Sequence, residues 1–483
     1  MSNENTEMRK LKRVLGFWPA YGAAVGLVVS GSAMFSVGYV GGTTGYATFI
    51  TAAIALIPMM GAAFAYGELT AMLPGGGMIS DYTMPALGRF WAIFSLLSGY
   101  VLLIAADGGT QLVMGGLSLD SLWGIPQPVT SGILFAFVII VNMIGVEFYG
   151  KTEAFITVLM MIVFALLSVA GFAGLGESLT GAIPINMDLG LLPPGGWPVV
   201  FGTVGVAIWF FIGFEFACPM AEENKKPYKN IPYGLIIGLI SIYVIDVIFA
   251  TAAVRYTPLE LMSTSPIPHV EAARAMLGQI GFVTMSLLTV AASLTTANAY
   301  AAALPRMLYG MARENLVPRS FAKIHPKYRT PWNGIIFTGL LMFITFIYIT
   351  INGADVNMVL TFIMTACITW MISYAIAMLD VLILRKKYPD YPRLWKAPFA
   401  WITLPLGIVG VIYAIWTLQS YWLYSGIAMV IVAIYAFGWM TYHKIPMFEK
   451  YPLESIAKDI RDRSEYLPVW DEAVVEWLAK RGK

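Results

Sequence analysis

The stretch Gly26–Gly38, GLVVSGSAMFSVG, constrains the fold more than any other. It lies in an apolar segment that begins near Phe17 and is long enough to cross a bilayer. A plain spanning helix would be filled with Leu, Ile, Val and Ala. This one carries Ser30-Gly31-Ser32 at its middle, with Gly22, Gly26 and Gly38 around it. Glycine unwinds cheaply, and serine can satisfy the backbone groups that unwinding frees. The reading is a helix broken at mid-membrane, which is tolerated only around a ligand or a water-filled cavity. Small residues also serve simply to let two helices pack closely. A second segment, from about Val199 to Met220, repeats the feature. Its Trp209-Phe210-Phe211-Ile212-Gly213-Phe214-Glu215 run has a glycine at mid-depth followed by an ionisable residue. Two interrupted apolar segments in corresponding halves of a chain point to a transporter binding site.

The rest of the chain fits a membrane. It is 58% hydrophobic and 12% charged, where a soluble domain carries about a quarter charged residues. Twelve spans are expected, at 17–38, 46–72, 90–116, 129–149, 153–175, 199–220, 231–254, 279–305, 332–351, 356–384, 399–419 and 422–442. A soluble helical bundle has no use for so many uniformly apolar helices. With both termini inside, all but Arg255 and Arg274 of the 30 Lys and Arg residues fall in cytoplasmic segments, the bias that sets orientation. A multi-pass protein of the cell membrane is therefore expected, with cytoplasmic segments at 1–16 and 443–483 flanking a transporter domain at 17–442. Five spans separate the two breaks, so the second unit is inverted. The units are expected at about 17–175 and 199–384, with two extra helices at 399–442. His269–Met276 is amphipathic and is expected to lie across the outer mouth as a small helix. The tail carries Trp470 and Trp477 and is expected to form a helix resting on the protein or the membrane surface.

Several classes are excluded. Gly75-Gly76-Gly77 lacks the Lys-Ser/Thr of a phosphate loop, so ATP-driven transport is not expected. The two cysteines, Cys218 and Cys367, fall in apolar segments and suggest no disulfide framework, and the three histidines show no metal spacing. No cleavable signal peptide is visible. No catalytic residue, cofactor, resident metal or nucleic-acid partner is expected; the chain reads as a transporter and not an enzyme.

Four stretches carry a family resemblance. They are the small-residue break Gly26–Phe35 and Tyr66-Gly67-Glu68-Leu69 with Pro74-Gly75-Gly76-Gly77. The third is Phe211–Glu215 with Ala221-Glu222-Glu223-Asn224-Lys225-Lys226-Pro227 and Ile231-Pro232. The last is Asn298 and Arg306 with Met311–Pro318, His325-Pro326 and Thr330-Pro331. On these the chain resembles the amino acid–polyamine–organocation superfamily over nearly its whole length. The resemblance implies an all-α membrane protein of the leucine-transporter type, with a 5+5 inverted repeat and broken helices one and six. It also implies secondary transport of an amino acid or small amine by alternating access. The substrate would lie between spans one and six. Its carboxylate would meet N–H groups freed at Ser30, Gly31 and Ser32, beside Val29; its amine would meet carbonyls freed at Trp209, Phe210 and Ile212, ahead of Gly213. Helix N-termini favour anions and C-termini favour cations. Where some members place a span-five lysine that stands in for sodium, counting from Asn142 gives Met160, so that coupling mechanism is not assumed. The Val28–Ser32 order and Gly145-Val146-Glu147 are similar to amine and ethanolamine permease branches.

Individual polar residues sharpen the expectation. Glu215 is an intramembrane carboxylate, costly and therefore functional by default, and is assigned to coupling; a structural hydrogen bond is the alternative. Asp107, in span three, is assigned to the substrate. Its neighbours Ala105, Ala106, Gly108 and Gly109 leave room for a ligand, and a cationic amine would supply the counter-charge that a buried carboxylate needs. The alternative is a protonated Asp107 bonded to a backbone carbonyl. Asp246 is a third buried acid, in span seven. Trp209 is placed over a bound amine as a cation–π lid, with plain core packing as the alternative. Ser293, Thr295 and Thr296 offer hydroxyls for a sodium ion, although such residues more often bond their own helix. Asn298 ties span eight to its neighbours. The function expected is proton-coupled or exchanging transport, with sodium-coupled amino acid symport as one alternative. A membrane sensor on a transporter scaffold is another; a tail of ~40 residues is short for the domain a sensor would append.

Overall fold

The computed structural model describes residues 13–144, 149–313 and 315–481. Gly145-Val146-Glu147, Glu314 and the basic residues Arg9, Lys10 and Lys12 lie outside the described residues.

Among the described residues, eleven helical stretches are long and apolar enough to cross a membrane. They make twelve spans, because the first stretch, Gly31–Met72, turns back on itself. Gly31–Thr44 is the second half of span one and Thr48–Met72 is span two. The turn between them is made at Gly45, whose φ of +56° suits a residue without a Cβ. Span one begins as Phe17–Gly26, stops, and resumes at Gly31. The expected break is therefore present, and it falls where Ser30 caps the second half: Ser30 Oγ accepts the Ala33 N–H at 3.1 Å.

Span six breaks as well. Val204–Ile208 runs into a 3-10 turn, Trp209–Phe211, then Ile212 is extended and Gly213 has φ +110°. The nine residues Phe214–Glu222 continue as 3-10 and not α helix. Runs of 3-10 this long are uncommon and mark hinges or strained sequence. Span three, Arg89–Trp123, contains a π-helical turn at Leu97–Val101, the one that carries Tyr100.

Burial sorts the spans. The apolar windows of spans six, ten (Val356–Lys387) and three are 83%, 72% and 67% buried, so these form the centre. Those of span four (Gln127–Ile144), span eleven (Ala400–Thr417) and span twelve (Trp422–Tyr442) are 22–28% buried and carry exposed Ile133, Ile402, Leu423 and Ile434. So broad an apolar surface belongs against lipid.

The remaining spans are Tyr149–Phe172, Pro227–Tyr256, the long Pro268–Arg313 and Trp332–Asn352. The expected short helix at His269–Met276 is the start of Pro268–Arg313, set off by non-helical Leu277 and Gly278. Pro268 packs against Gly38 near the end of span one.

The two ends of the described chain meet at one face. Leu15 pairs with Asn224, just past span six, in a short parallel bridge. Arg13 donates to the carbonyls of Ala221 (2.7 Å), Asn224 (3.1 Å) and Glu465 (3.0 Å). The tail forms two helices where one was expected, Leu453–Arg463 and Pro468–Lys480. Both lie on the protein: Leu453, Ile456, Ile460, Trp470 and Trp477 are buried, and Trp470 Nε1 donates to the Met72 carbonyl at 2.9 Å. Glu68, from the span-two signature, accepts from Arg385 Nε (2.9 Å) and Nη2 (2.6 Å) and from the Ala397 N–H (2.8 Å), pinning span two to the end of span ten. Gly76, from the glycine run after span two, donates to Glu222 Oε1 at 2.8 Å.

Candidate functional site: two helix breaks and two buried acids

The two breaks face each other. A Cβ built on Gly213 would lie 2.9 Å from Leu27 Cδ2, in the unwound part of span one. Trp209 Nε1 donates to Ser32 Oγ at 3.0 Å, and Ser30 and Ser32 hydroxyls lie 3.2 Å apart. Of the three N–H groups expected to be free at the break, Ser30's is closed on the Val28 carbonyl at 2.9 Å. The bend is tight enough for the chain to bond itself there. Ala33 N–H goes to the Ser30 side chain, and the helical ladder begins with Met34 N–H to Ser30 O. Gly31 and Ser32 N–H lie ahead of that ladder, at the helix N-terminus. At span six the helical turn ends at Phe211, which leaves the carbonyls of its last turn without a following helical N–H. The Gly213 N–H is taken by the Tyr374 hydroxyl at 3.1 Å.

Asp107 sits at the centre of a network that crosses four spans. Its Oδ2 accepts from Gln111 Nε2 (2.8 Å) and from the Tyr300 hydroxyl of span eight (2.8 Å). Gln111 Nε2 also donates to Ser32 Oγ at 2.7 Å, which joins span three to the break in span one. Asp107 Oδ1 and Gln111 Oε1 are buried without a partner. Ser293 Oγ, also buried and unpartnered, presses on Gly31, as does Gln111 Oε1 at 3.3 Å from a Cβ built there. Gly31 thus has no room for any side chain. The glycines beside Asp107 do not leave room for a ligand as expected. A Cβ on Gly108 would meet Met342 Cγ at 2.7 Å, and one on Gly109 the Met342 carbonyl at 2.6 Å. They let span nine approach span three, the close-packing use of small residues.

Glu215 faces the other way. Oε1 accepts from Trp370 Nε1 (2.8 Å) and Tyr100 OH (3.2 Å), and Oε2 from Tyr374 OH (2.6 Å). It therefore ties the segment after the span-six break to spans three and ten. Trp209 lies between the two networks: bonded to Ser32, its ring also meets Trp370 edge-on at 6.4 Å.

The other expected residues divide. Val29, Phe210 and Ile212 are buried at the breaks. Thr296 Oγ1 is buried and unpartnered like Ser293 Oγ, whereas Thr295 bonds the Ala291 and Ala292 carbonyls of its own helix, both at 3.0 Å. Asn298 accepts from Asn142 at 2.7 Å and so ties span eight to span four. Asp246 is buried in span seven and is party to none of the hydrogen bonds above. Met160 is buried in span five; that span reaches span one at Thr157, which packs on Gly26. Sequence reasoning missed Gln111, Tyr300, Tyr100, Trp370 and Tyr374. Gln111 was within reach, since it lies one helical turn after Asp107 on the same face. Trp370 and Tyr374 share that i, i+4 spacing.

Known proteins agree with this architecture. Residues 15–435 match the family model described as amino acid permease. The branched-chain amino acid permease BcaP of Bacillus subtilis is 25% identical over 89% of this chain and 94% of its own length. The methylthioribose transporter of the same organism is 24% identical over 86% and 90%. The aromatic amino acid transport protein AroP of Corynebacterium glutamicum is 27% identical over 72% and 77%. A crystal structure of the Eremococcus coleocola manganese transporter superimposes over 95% of this chain and 100% of its own with a TM-score of 0.59, at 12% identity, a likeness of fold. The chain belongs to the amino acid permease family, within the amino acid–polyamine–organocation superfamily, and has its leucine-transporter-type fold.

Proposed function

We propose that this permease carries an amino acid or small organic amine across the cell membrane by alternating access, driven by a proton or by counter-exchange. One observation carries the reading: the two helix breaks meet beside a buried acid, with Asp107 joined through Gln111 to Ser32. A substrate carboxylate fits the Gly31 and Ser32 N–H groups. A substrate amine fits the carbonyls ending the first half of span six and the open oxygen of Asp107. Trp209 covers the cation. The names of the relatives, which include branched-chain and aromatic amino acids and methylthioribose, support a small polar organic cargo.

Coupling is assigned to Glu215. Proton uptake would exchange one of its acceptor positions for a donor, weakening its hold on Tyr100, Trp370 and Tyr374 and freeing the segment after the span-six break to move. The contact of Trp209 with both Ser32 and Trp370 supports a link from the cargo to this acid. In proteoliposomes given labelled cargo from outside, Glu215→Gln is expected to flatten the pH dependence of uptake, while exchange against unlabelled cargo inside persists. An unaltered pH profile would remove the assignment. The unpartnered hydroxyls of Ser293 and Thr296 favour a second reading, sodium symport, in which they and the span-one carbonyls hold the ion; uptake that needs sodium at constant pH would select it.

Both termini are assigned to the cytoplasm. The basic residues cluster with them, and the Arg13–Glu465 bond supports a common face. In a cysteine-free background, Cys placed at Ser178 should label from outside and Cys placed at Lys226 only from inside. Labelling of both from one face would reverse the topology.

A further inference from the structure

Gln111 makes two hydrogen bonds through one atom and none through the other. Its Nε2 reaches Asp107 Oδ2 at 2.8 Å and Ser32 Oγ at 2.7 Å. A carboxylate oxygen only accepts, so Asp107 fixes which end of the amide faces it. The amide oxygen is then aimed at the span-one break, against Gly31 and near Ser293. It is buried, and no donor reaches it. Asp107 repeats the pattern: Tyr300 and Gln111 both donate to Oδ2, and Oδ1 is bare. The two bare oxygens belong to the two partners of a single hydrogen bond, so both lie in one buried network beside the span-one break. Buried polar atoms without partners are rare, and each calls for a ligand, a water or an ion. Here both are acceptors, so what completes them must donate, and an ammonium group has hydrogens enough for both.

We infer that Gln111 is a specificity-determining residue, whose amide oxygen, with Asp107 Oδ1, seats an ammonium group bearing at least two N–H bonds. Ser32 and Tyr300 are positioning residues: they hold Gln111 and Asp107 in the orientation that leaves those oxygens free. Within the amines and amino acids proposed above, primary and secondary ammonium groups meet this requirement and quaternary ammonium compounds are rejected. A trimethylammonium group carries the charge but has no N–H to give, so it would leave the Gln111 oxygen buried and unsatisfied. Specificity of this kind comes from the groups a wrong ligand leaves unpaired. The inference rests on the transport reading for its ligand and adds the residue that chooses it.

The test is ligand-induced thermal stabilisation of the purified full-length chain, titrated to obtain affinities. The probes are butylamine, ethanolamine and leucine, each beside its N,N,N-trimethyl derivative. The native protein should prefer the N–H-bearing member of at least one pair by about ten- to a hundredfold. Gln111→Met, similar in size but without an amide, should lose about tenfold of that preference. Gln111→Glu should retain it, because the neighbouring acids can share one proton and a carbonyl oxygen still faces the break. Each variant is compared only after it shows a cooperative melt, and if Gln111→Met does not fold, Gln111→Leu takes its place. A preference unchanged in a folded Gln111→Met or Gln111→Leu protein would overturn the inference and leave the transport reading intact. Stabilisation by sodium, lost with the Gln111 amide, would overturn it in favour of a metal cation. Failure of every probe to stabilise the native protein would overturn both readings together.

Discussion

Asp107 and Glu215 lie buried in the same membrane interior, each surrounded by neutral hydrogen-bond donors, and they are completed in opposite ways. Glu215 receives three donors from spans three and ten, spread over both oxygens. Asp107 receives two, both on one oxygen, and the other oxygen is bare. The donors of Glu215 are large aromatic side chains that pack against one another as well: Trp370 meets Tyr100 at 6.0 Å and Tyr374 at 6.2 Å. The partners of Asp107 lead instead to the span-one break through Ser32. A carboxylate saturated by the scaffold holds the scaffold together; one left half-open beside unwound backbone is built for something that comes and goes. The two acids look alike in sequence and differ in what surrounds them.

The comparison is most exposed to a stability measurement. Glu215→Leu strands three buried donors, each worth about 1–3 kcal/mol when left unpaired, so a loss on the order of 3–9 kcal/mol is expected. Asp107→Leu strands two, the Tyr300 hydroxyl and one hydrogen of Gln111 Nε2, whose other hydrogen keeps Ser32. Its loss should be smaller, about 2–6 kcal/mol. Melting temperatures of the two variants in one detergent decide the matter, and a larger drop for Asp107→Leu would break the contrast.

The glycines at the two breaks give the next largest effect. Gly213 holds φ +110°, which a branched residue rarely adopts, so Gly213→Val should destabilise the fold as well as abolish binding. Gly31 has an ordinary helical position, and a Cβ there would collide with the movable Ser293 side chain and crowd Gln111 Oε1 and Met114 Cβ, each at 3.3 Å. Gly31→Val should therefore cost about 1–3 kcal/mol of overpacking and still insert, while binding is lost. A folded Gly31→Val protein of native affinity would detach the span-one break from the site.

The smallest expected effect is at Trp209, which touches both networks. Trp209→Phe keeps the aromatic face and loses the N–H to Ser32, for about 1 kcal/mol in ligand affinity. Trp209→Ala should weaken binding severalfold more. Equal losses from the two would make Trp209 plain packing, with no part in covering a cation.

Much of this was legible in the sequence, for a physical reason. Crossing lipid demands ~20 apolar residues and intact backbone bonding, so Ser30-Gly31-Ser32 and Gly213 stand out as exceptions. Their structural cause is local: a Ser cap and a positive φ. What stayed hidden depends on distances between spans. Nothing near Glu215 in the chain announces Trp370, 155 residues away, or the Tyr374 hydroxyl that closes on Gly213. Gly108 and Gly109 mislead for the same reason, since small residues read alike whether they face a ligand or a helix, and here they face span nine. The tail's amphipathic pattern announced an apolar face. The turn that makes two helices of it carries Pro468, with Asp471 accepting the Leu467 N–H, and it docks on Arg13 and Met72 from the earlier part of the chain.

The division of labour between the two acids is tested most directly by measuring the affinity of one primary ammonium ligand for Asp107→Asn and Glu215→Gln, each verified as folded. Removing one member of a buried charge pair costs about 3–5 kcal/mol. Binding to Asp107→Asn should therefore fall by two orders of magnitude or more, while Glu215→Gln, whose carboxylate touches only the scaffold, should bind within a few-fold of native. Native affinity in Asp107→Asn together with collapse in Glu215→Gln would contradict the account.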